Sequence, residues 1–232
     1  MSAEANDGKQ LETVVDGVRY LRIPIKTKLV MSDDDITDVV TTFAADRLHD
    51  GDVLFVTEKI IAIMQGRSYP TESIAPRRLA TWLSHHVIKT PNGIGLGLPQ
   101  TMEMALRECG TPRILLAAGV AAVTKLFGRK GDFYRVAGPK ARGIDGPTNG
   151  TIPPYNSHVV LAPDRPHDVA RELRAALGLD VEVLITDIND LGGNVLGSTM
   201  SKARTRTMER VLLDNPLGQG HESTPMGIIR EP

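Results

Sequence analysis

Cysteine is almost absent: Cys109 is the single one in 232 residues. An intrachain disulfide is therefore excluded, and so is a zinc cluster built on thiolates. A reducing cytoplasm is the expected compartment. Net charge is nearly absent too, -1 at pH 7, so no global field recruits nucleic acid. No apolar run approaches the ~20 residues that a membrane-spanning helix needs. The polar, acidic start, Met1 to Gln10, lacks the apolar region of a signal peptide and reads as a frayed tail through Gly8. Neither G-x-G-x-x-G nor G-x-x-x-x-G-K-[ST] occurs, although Pro91 to Pro99 is rich in glycine. His85 and His86 are adjacent, so they diverge on a helix and cannot form an H-E-x-x-H zinc pair.

What is present is an ordinary globular composition, 41% hydrophobic with 22 glycines. It is long enough for one large core or two small ones. The most informative stretch is Ile185-Thr-Asp-Ile-Asn-Asp-Leu-Gly-Gly193. The run from Val181 to Ile185 reads as a buried strand. It is expected to stop where Asp187, Asn189 and Asp190 crowd together. Gly192 and Gly193 then allow a tight reversal or a close approach to phosphate. Carboxylate and amide oxygens at a strand end suit Mg²⁺ or Mn²⁺. An Asx-rich turn capping its own backbone accounts for the same residues.

Periodicity assigns the remaining elements. Strands are expected at Val18 to Ile25, Val53 to Val56, Ile114 to Ala118, Phe133 to Ala137 and His158 to Leu161. Ser32, with Asp35 at the capping-box distance, opens a helix whose inner face is Ile36, Val39, Val40, Phe43, Ala44 and Leu48. Pro76 opens a second, burying Leu79, Trp82, Leu83 and Val87. Pro99 opens a third, with Met102, Ala105, Leu106 and an inert Cys109 inward. Ala121 to Leu126 reads as a short helix. Asp164 caps and Pro166 opens another, closed by Gly178, so that strand, helix and strand form a right-handed β-α-β unit ending at Asp187. Ser201 to Leu213 is a final helix with a basic start, and the tail ends as a strand pinned into a sheet. The class expected is α+β, with mixed, largely antiparallel sheets and flanking helices.

Several charged residues have two readings. Lys26 and Lys28 beside a turn are phosphate ligands or solvated lysines. Glu58 and Lys59, at an element junction, bind substrate or form an exposed ion pair. Lys130 belongs to a small basic group with Lys125 and Arg129. Asp145, between Gly143 and Gly146-Pro147, is a turn aspartate or a metal ligand converging with Asp187.

Taken together, Gly51-Asp-Val-Leu-Phe-Val-Thr-Glu-Lys59, Gln65-Gly-Arg67, Gly143-Ile-Asp145 and Val183-Leu-Ile-Thr-Asp187 resemble the coenzyme F420-0 gamma-glutamyl ligase family, in a divergent bacterial-type branch. The resemblance spans most of residues 20 to 190. It implies one ligase-like domain over 1–232, an intertwined homodimer, GTP or ATP as cosubstrate, Mg²⁺ or Mn²⁺, and K⁺ as an assisting cation. The activity implied joins L-glutamate or a similar amine to a carboxylate acceptor through an acyl phosphate, in coenzyme F420 or folate-like cofactor metabolism. By the same resemblance Asp145 and Asp187 are metal ligands. Glu58, Lys59 and Asp190 are the catalytic candidates. Lys26, Lys28, Gly66, Arg67, Lys130 and Asn189 are candidates for binding nucleotide. The archetype reads Asp-Thr-Asn-Gly-Arg where this chain has Asp187-Ile-Asn-Asp-Leu, so Asn189 or Asp190 is expected to supply the oxygen that Ile188 cannot. A metal-dependent phosphohydrolase or phosphotransferase, and a non-catalytic regulatory module on the same scaffold, are the competing readings.

Overall fold

The computed structural model describes residues 4–87, 95–129, 131–190, 192–218 and 220–231. The chain divides into two compact units, residues 1–65 with 163–232, and residues 66–162.

The first unit begins with β1 (Glu12–Val15) and β2 (Val18–Ile25), joined at Asp16-Gly17, both at positive φ as a two-residue hairpin requires. Pro24 lies inside β2 and pairs with Gly227. Its missing N–H costs nothing, because β1 covers β2 only as far as Leu21. Next comes α1 (Ile36–Ala44), capped by Asp35, whose carboxylate accepts from the Thr37 and Asp38 amides at 2.8 and 3.1 Å. The expected cap, Ser32, lies outside the helix. Asp35 replaces it because the first apolar residue of the inner face is Ile36. Then follow β3 (Val53–Thr57) and α2 (Glu58–Met64).

The second unit contains β4 (Ser68–Pro70), α3 (Arg78–His85), α4 (Pro99–Cys109), α5 (Thr111–Leu126), α6 (Asp132–Ala137), α7 (Pro139–Arg142) and β5 (His158–Val160). Here expectation fails most. Ile114 to Ala118 and Phe133 to Ala137 are helical, and Ala121 to Leu126 is the end of the long α5. Gly110, at φ 84°, and Pro112 in its first turn start α5. α3 starts at Arg78, not at Pro76. Trp82 is 58% exposed and rests on the His86 ring, centroids 4.7 Å apart; Leu83 takes the buried place. The core joins Leu83, Leu96, Met102, Leu106, Ile114, Ile144 and Val159. Glu103 is buried beneath Arg77 and Arg107, at 3.0 and 2.8 Å.

The chain returns to the first unit with α8 (Pro166–Leu177), β6 (Glu182–Asn189), β7 (Gly192–Ser198), α9 (Lys202–Val211) and β8 (Met226–Arg230). Arg165, at φ 45°, precedes α8 instead of an Asp164 cap, and Gly178 closes it at φ 66°. The six strands run β1-β2-β8-β3-β6-β7, and the β3–β6 pair alone is parallel. The expected β-α-β unit is not formed. β5 pairs with β4 in a separate two-stranded ribbon, and β6 takes β3 as its parallel partner. Alternation sends Leu54, Val56, Val183, Ile185 and Ile228 to one face, under α1, α2 and α8. Val53, Phe55, Leu184 and Ile229 go to the other face, under Met208 and Val211 of α9. Each such burial contributes about 1.5–3 kcal/mol. Gly227 admits the Phe55 ring, which a Cβ there would meet at 2.6 Å. The expected frayed tail is instead tied down from Asn6, whose amide donates to Leu217 O at 2.7 Å and to Thr224 Oγ1 at 2.5 Å. Among the described residues no single helix is long and apolar enough to cross a membrane.

Candidate functional site

Strand order in the first unit gathers polar residues at one end of the sheet. Thr57 of β3 sits beside Thr186 of β6, so Glu58, which opens α2, and Asp187, which continues β6, both follow at this end of the sheet. On the other side of β3, Val56 pairs with Met226, the first residue of β8, and Ile25, the last of β2, pairs with Met226 as well. Lys26, Thr27 and Lys28 therefore leave the sheet at the same end as Glu58, Lys59 and Asp187. The segment before β8 closes the row: Thr27 N donates to Ser223 O and Thr57 N to Pro225 O, both at 2.9 Å. Asp187 pairs across the hairpin with Asn194.

The local chemistry differs from residue to residue. Glu58 is buried as α2 begins, and Lys59 is half-buried beside it. Thr186 is fully buried and its hydroxyl donates to Val56 O at 3.2 Å, which locks the parallel pair. Lys26 is exposed; Lys28 is also exposed and pairs with Asp34. β6 does not stop at Asp187. It runs through Asn189, which pairs with Gly192, so the glycines serve the reversal. Gly193 also permits close approach, since a Cβ there would meet Ile188 Cγ1 at 3.0 Å. Asp190 is tethered to Lys9 Nζ at 2.8 Å and to Asn215 Nδ2 at 3.0 Å. The Lys9 hydrogen bond holds its carboxyl below the usual carboxylate range, against a smaller opposing effect of burial, and Asn215 helps. A carboxyl held that low donates no proton near neutral pH.

The second unit holds the other candidates. Gly66 adopts φ 69°, which accounts for its glycine. Arg67 Nε donates to Ala162 O and Nη2 to Glu108 Oε1, each at 2.7 Å. Lys140 reaches the same Glu108 oxygen at 2.9 Å. Burial would raise the Glu108 carboxyl, but the hydrogen bonds from Lys140 and Arg67 outweigh it, so the group is held low. Asp145 is bonded to Val160 through both backbone groups, at 2.8 and 3.0 Å, which extends the β4–β5 ribbon. Gly143 before it packs close to Ala162, whose Cβ lies 2.8 Å from where a Cβ would stand. Lys130, and the part of the glycine-rich segment from Pro91 to Ile94, lie outside the described residues. Cys109 is half-buried with its thiol pushed up by burial, as an inert packing residue should be.

Among the described residues no three His, Cys, Asp or Glu side chains form a ready-made cation cage. A shallow groove of about 530 Å³ lies along Arg171, Arg174, Ser198 and Thr199, and contains none of the candidates. Its arginines are already paired, Arg171 with Asp168, and Arg174 with Asp180 and Glu182. Sequence reasoning missed Thr27, Asn194, Ser223 and Thr224. Ser223-Thr224-Pro225, directly before an apolar run, was a usable signal for the last two. Nothing local marked Asn194, which cross-strand pairing alone brings to Asp187.

Acids, ammonium groups and hydroxyls thus share one end of the sheet of an α+β protein. The chain belongs to the F420-0:gamma-glutamyl ligase family, whose model matches residues 24–191. That match begins inside β2 and ends at the β6–β7 hairpin, so it covers Lys26 through Asp190 and leaves Ser223 and Thr224 outside. No curated protein matches the chain.

Proposed function

We propose that this protein is a nucleotide-dependent amide ligase that joins L-glutamate, or a similar amine, to a small-molecule carboxylate. Residues 1–232 act as one ligase domain of a divergent bacterial-type branch, as a pair of copies in a reducing cytoplasm. The acceptor is the carboxylate of a deazaflavin or folate-like precursor. The observation that supports the reading is the β3–β6 register, which pairs Thr57 with Thr186, the residues directly before Glu58 and Asp187, within the family match.

A carboxylate is a poor electrophile. Transfer of the terminal phosphoryl group of GTP or ATP to it makes an acyl phosphate and releases the nucleoside diphosphate. The amine nitrogen then attacks the carbonyl carbon, loses a proton, and phosphate leaves with the electrons of the C–O bond. Lys26, Lys28, Lys59, Arg67 and Lys130 offset phosphate charge, and Gly66 and Asn189 present polar groups without bulk. Glu58 takes the amine proton, and Asp190 steadies the hairpin that carries Asn189. Asp145 and Asp187, hard oxygen donors with amide oxygens nearby in sequence, fit Mg²⁺ or Mn²⁺. When bound, such an ion neutralises phosphate charge; K⁺ is a further assisting cation.

The test is phosphate release from GTP and ATP, with L-glutamate and a panel of F420-0, folate-like and dipeptide acceptors. Release that needs both amine and acceptor supports the ligase. Release without the amine identifies a phosphohydrolase or phosphotransferase. No calorimetric heat from nucleotide with Mn²⁺ at millimolar concentration favours the non-catalytic regulatory module. Asp187→Asn, and separately Asp145→Asn, should weaken Mn²⁺ binding and nearly abolish turnover while the fold survives. Unchanged metal affinity in both variants sinks the metal assignment.

A further inference from the structure

The chain ahead of β1 ties together the two segments that border the end of β3. In the sheet β1 and β7 are the opposite edges, and β3 lies between β8 and β6. Lys9 nevertheless reaches the β6–β7 hairpin: its Nζ donates to Asp190 Oδ1 at 2.8 Å and to Asp214 O at 3.2 Å. Asn6 Nδ2 donates to Leu217 O at 2.7 Å and to Thr224 Oγ1 at 2.5 Å, in the segment that leads into β8. Asn215 joins the two sets, since its Nδ2 donates to Asp190 Oδ1 and to Gly218 O, each at 3.0 Å. Each amide thereby uses both of its N–H groups. Arg22 of β2, fully buried, holds the same loop from inside the sheet. Its Nη1 donates to Val211 O at 3.0 Å and pairs with Asp214, and its Nη2 donates to Gln10 O at 2.9 Å.

We propose that Asn6 and Lys9 are positioning residues: residues 6–9 form a strap that fixes the β6–β7 hairpin and the segment 223–225 on either side of Glu58. The effect on nucleotide rests on the ligase reading above; the strap itself does not. The hairpin carries Asp187 and Asn189, and the segment before β8 bonds to Thr27 and Thr57, so both borders of the polar row are held through these two side chains. A lone exposed ion pair would contribute little. This one is enclosed. The Lys9 side chain is 19% exposed, and Asn215 is buried. The lysine stem lies against Gly218, with Cε 3.5 Å from where a Cβ would stand. Residues 6–9 and 214–224 all fall outside the family match at 24–191, so the strap is a property of this chain's own termini.

Hydrogen exchange and kinetics of the full chain test this. Lys9→Met should speed exchange in the β6–β7 hairpin about fivefold, and Asn6→Ala should do the same in residues 223–226, with α1 unchanged in both. Asp7→Ala, at the exposed residue between them, should change neither segment. Unchanged exchange in both variants overturns the strap. With GTP or ATP and Mn²⁺, Lys9→Met should raise the nucleotide KM about fivefold and leave kcat within about twofold, because the hairpin's groups hold phosphate in ground and transition state alike. Lys9→Arg, which keeps the charge, should restore both KM and the slow exchange. Faster exchange with an unchanged KM makes the two residues structural only and overturns the positioning role. A wild type without turnover overturns the ligase reading, and exchange alone then decides the strap. Should Lys9→Met fail to fold, Asn6→Ala decides by the same outcomes.

Discussion

The two units solve the problem of covering apolar surface differently. Residues 1–65 with 163–232 sandwich their sheet, with α1, α2 and α8 on one face and α9 on the other. Residues 66–162 stack helices on a short ribbon and leave the outer side of α5 bare. A sheet closed on both faces leaves its strand ends as the place for polar chemistry, and Lys26, Glu58, Lys59 and Asp187 are found there. A helical layer open on one side leaves apolar side chains of α5 in solvent. The interior charges follow the same division. Glu103 and Glu108 in the helical unit are enclosed carboxylates with cations over them. Asp190 of the sheet unit is half exposed at a hairpin.

The largest expected effect breaks the sandwich. Gly227→Val puts a Cβ 2.6 Å from Phe55 Cζ and 2.9 Å from Ile23 O, in the middle of the sheet. A cost of about 3 kcal/mol is expected in urea unfolding. Hydrogen exchange should show the lost protection in β2, β3 and β8, and an equal loss across both units would erase the contrast drawn here.

Next is the enclosed carboxylate of the helical unit. Glu103→Ala removes the acceptor of Arg77 and Arg107 and should cost about 1.5 kcal/mol, at the low end for charged hydrogen bonds because both guanidiniums are half exposed. Burial would raise the Glu103 carboxyl, yet the hydrogen bonds from Arg77 and Arg107 leave it below its ordinary value. A depressed folded pKa means stability that is full above the unfolded value, about 4.3, and is lost as pH falls through the folded one. Wild-type denaturation midpoints should therefore drop on acidification below about pH 4.3, and less steeply in Glu103→Gln. Parallel acid profiles for the two proteins would remove Glu103 as a cause.

Two smaller changes sharpen the comparison. Asp35→Ala removes the cap of α1 and should cost about 1 kcal/mol. Trp82→Ala in the helical unit should stay within about 0.5 kcal/mol, because the ring is largely in solvent. A loss of several kcal/mol on thermal unfolding of Trp82→Ala would restore the buried tryptophan that the apolar pattern suggested.

Local pattern alone identified much of this chain. Period two marked β2, β3 and β6, while period 3.6, with Pro166 and Gly178 as punctuation, marked α8. The same physics explains the failures. Ile114 to Ala118 and Phe133 to Ala137 are short apolar runs compatible with either period, and the packing of α5 against α4 and α6 made both helical. The candidate site divides in the same way. Asp187 and Glu58 stood out as acids at the ends of apolar runs, and the family match follows from that order of motifs. Their place at one end of the sheet came from the β3–β6 register, which pairs the residues before them. Asn194, Ser223 and Thr224 joined them through pairing between segments far apart in the chain. Side-chain pattern tells which face of a strand is buried, because apolar surface must leave water. It does not name the neighbouring strand, because backbone N–H and C=O groups are the same in every residue but proline, and so tertiary packing chose β8 as the centre of the sheet.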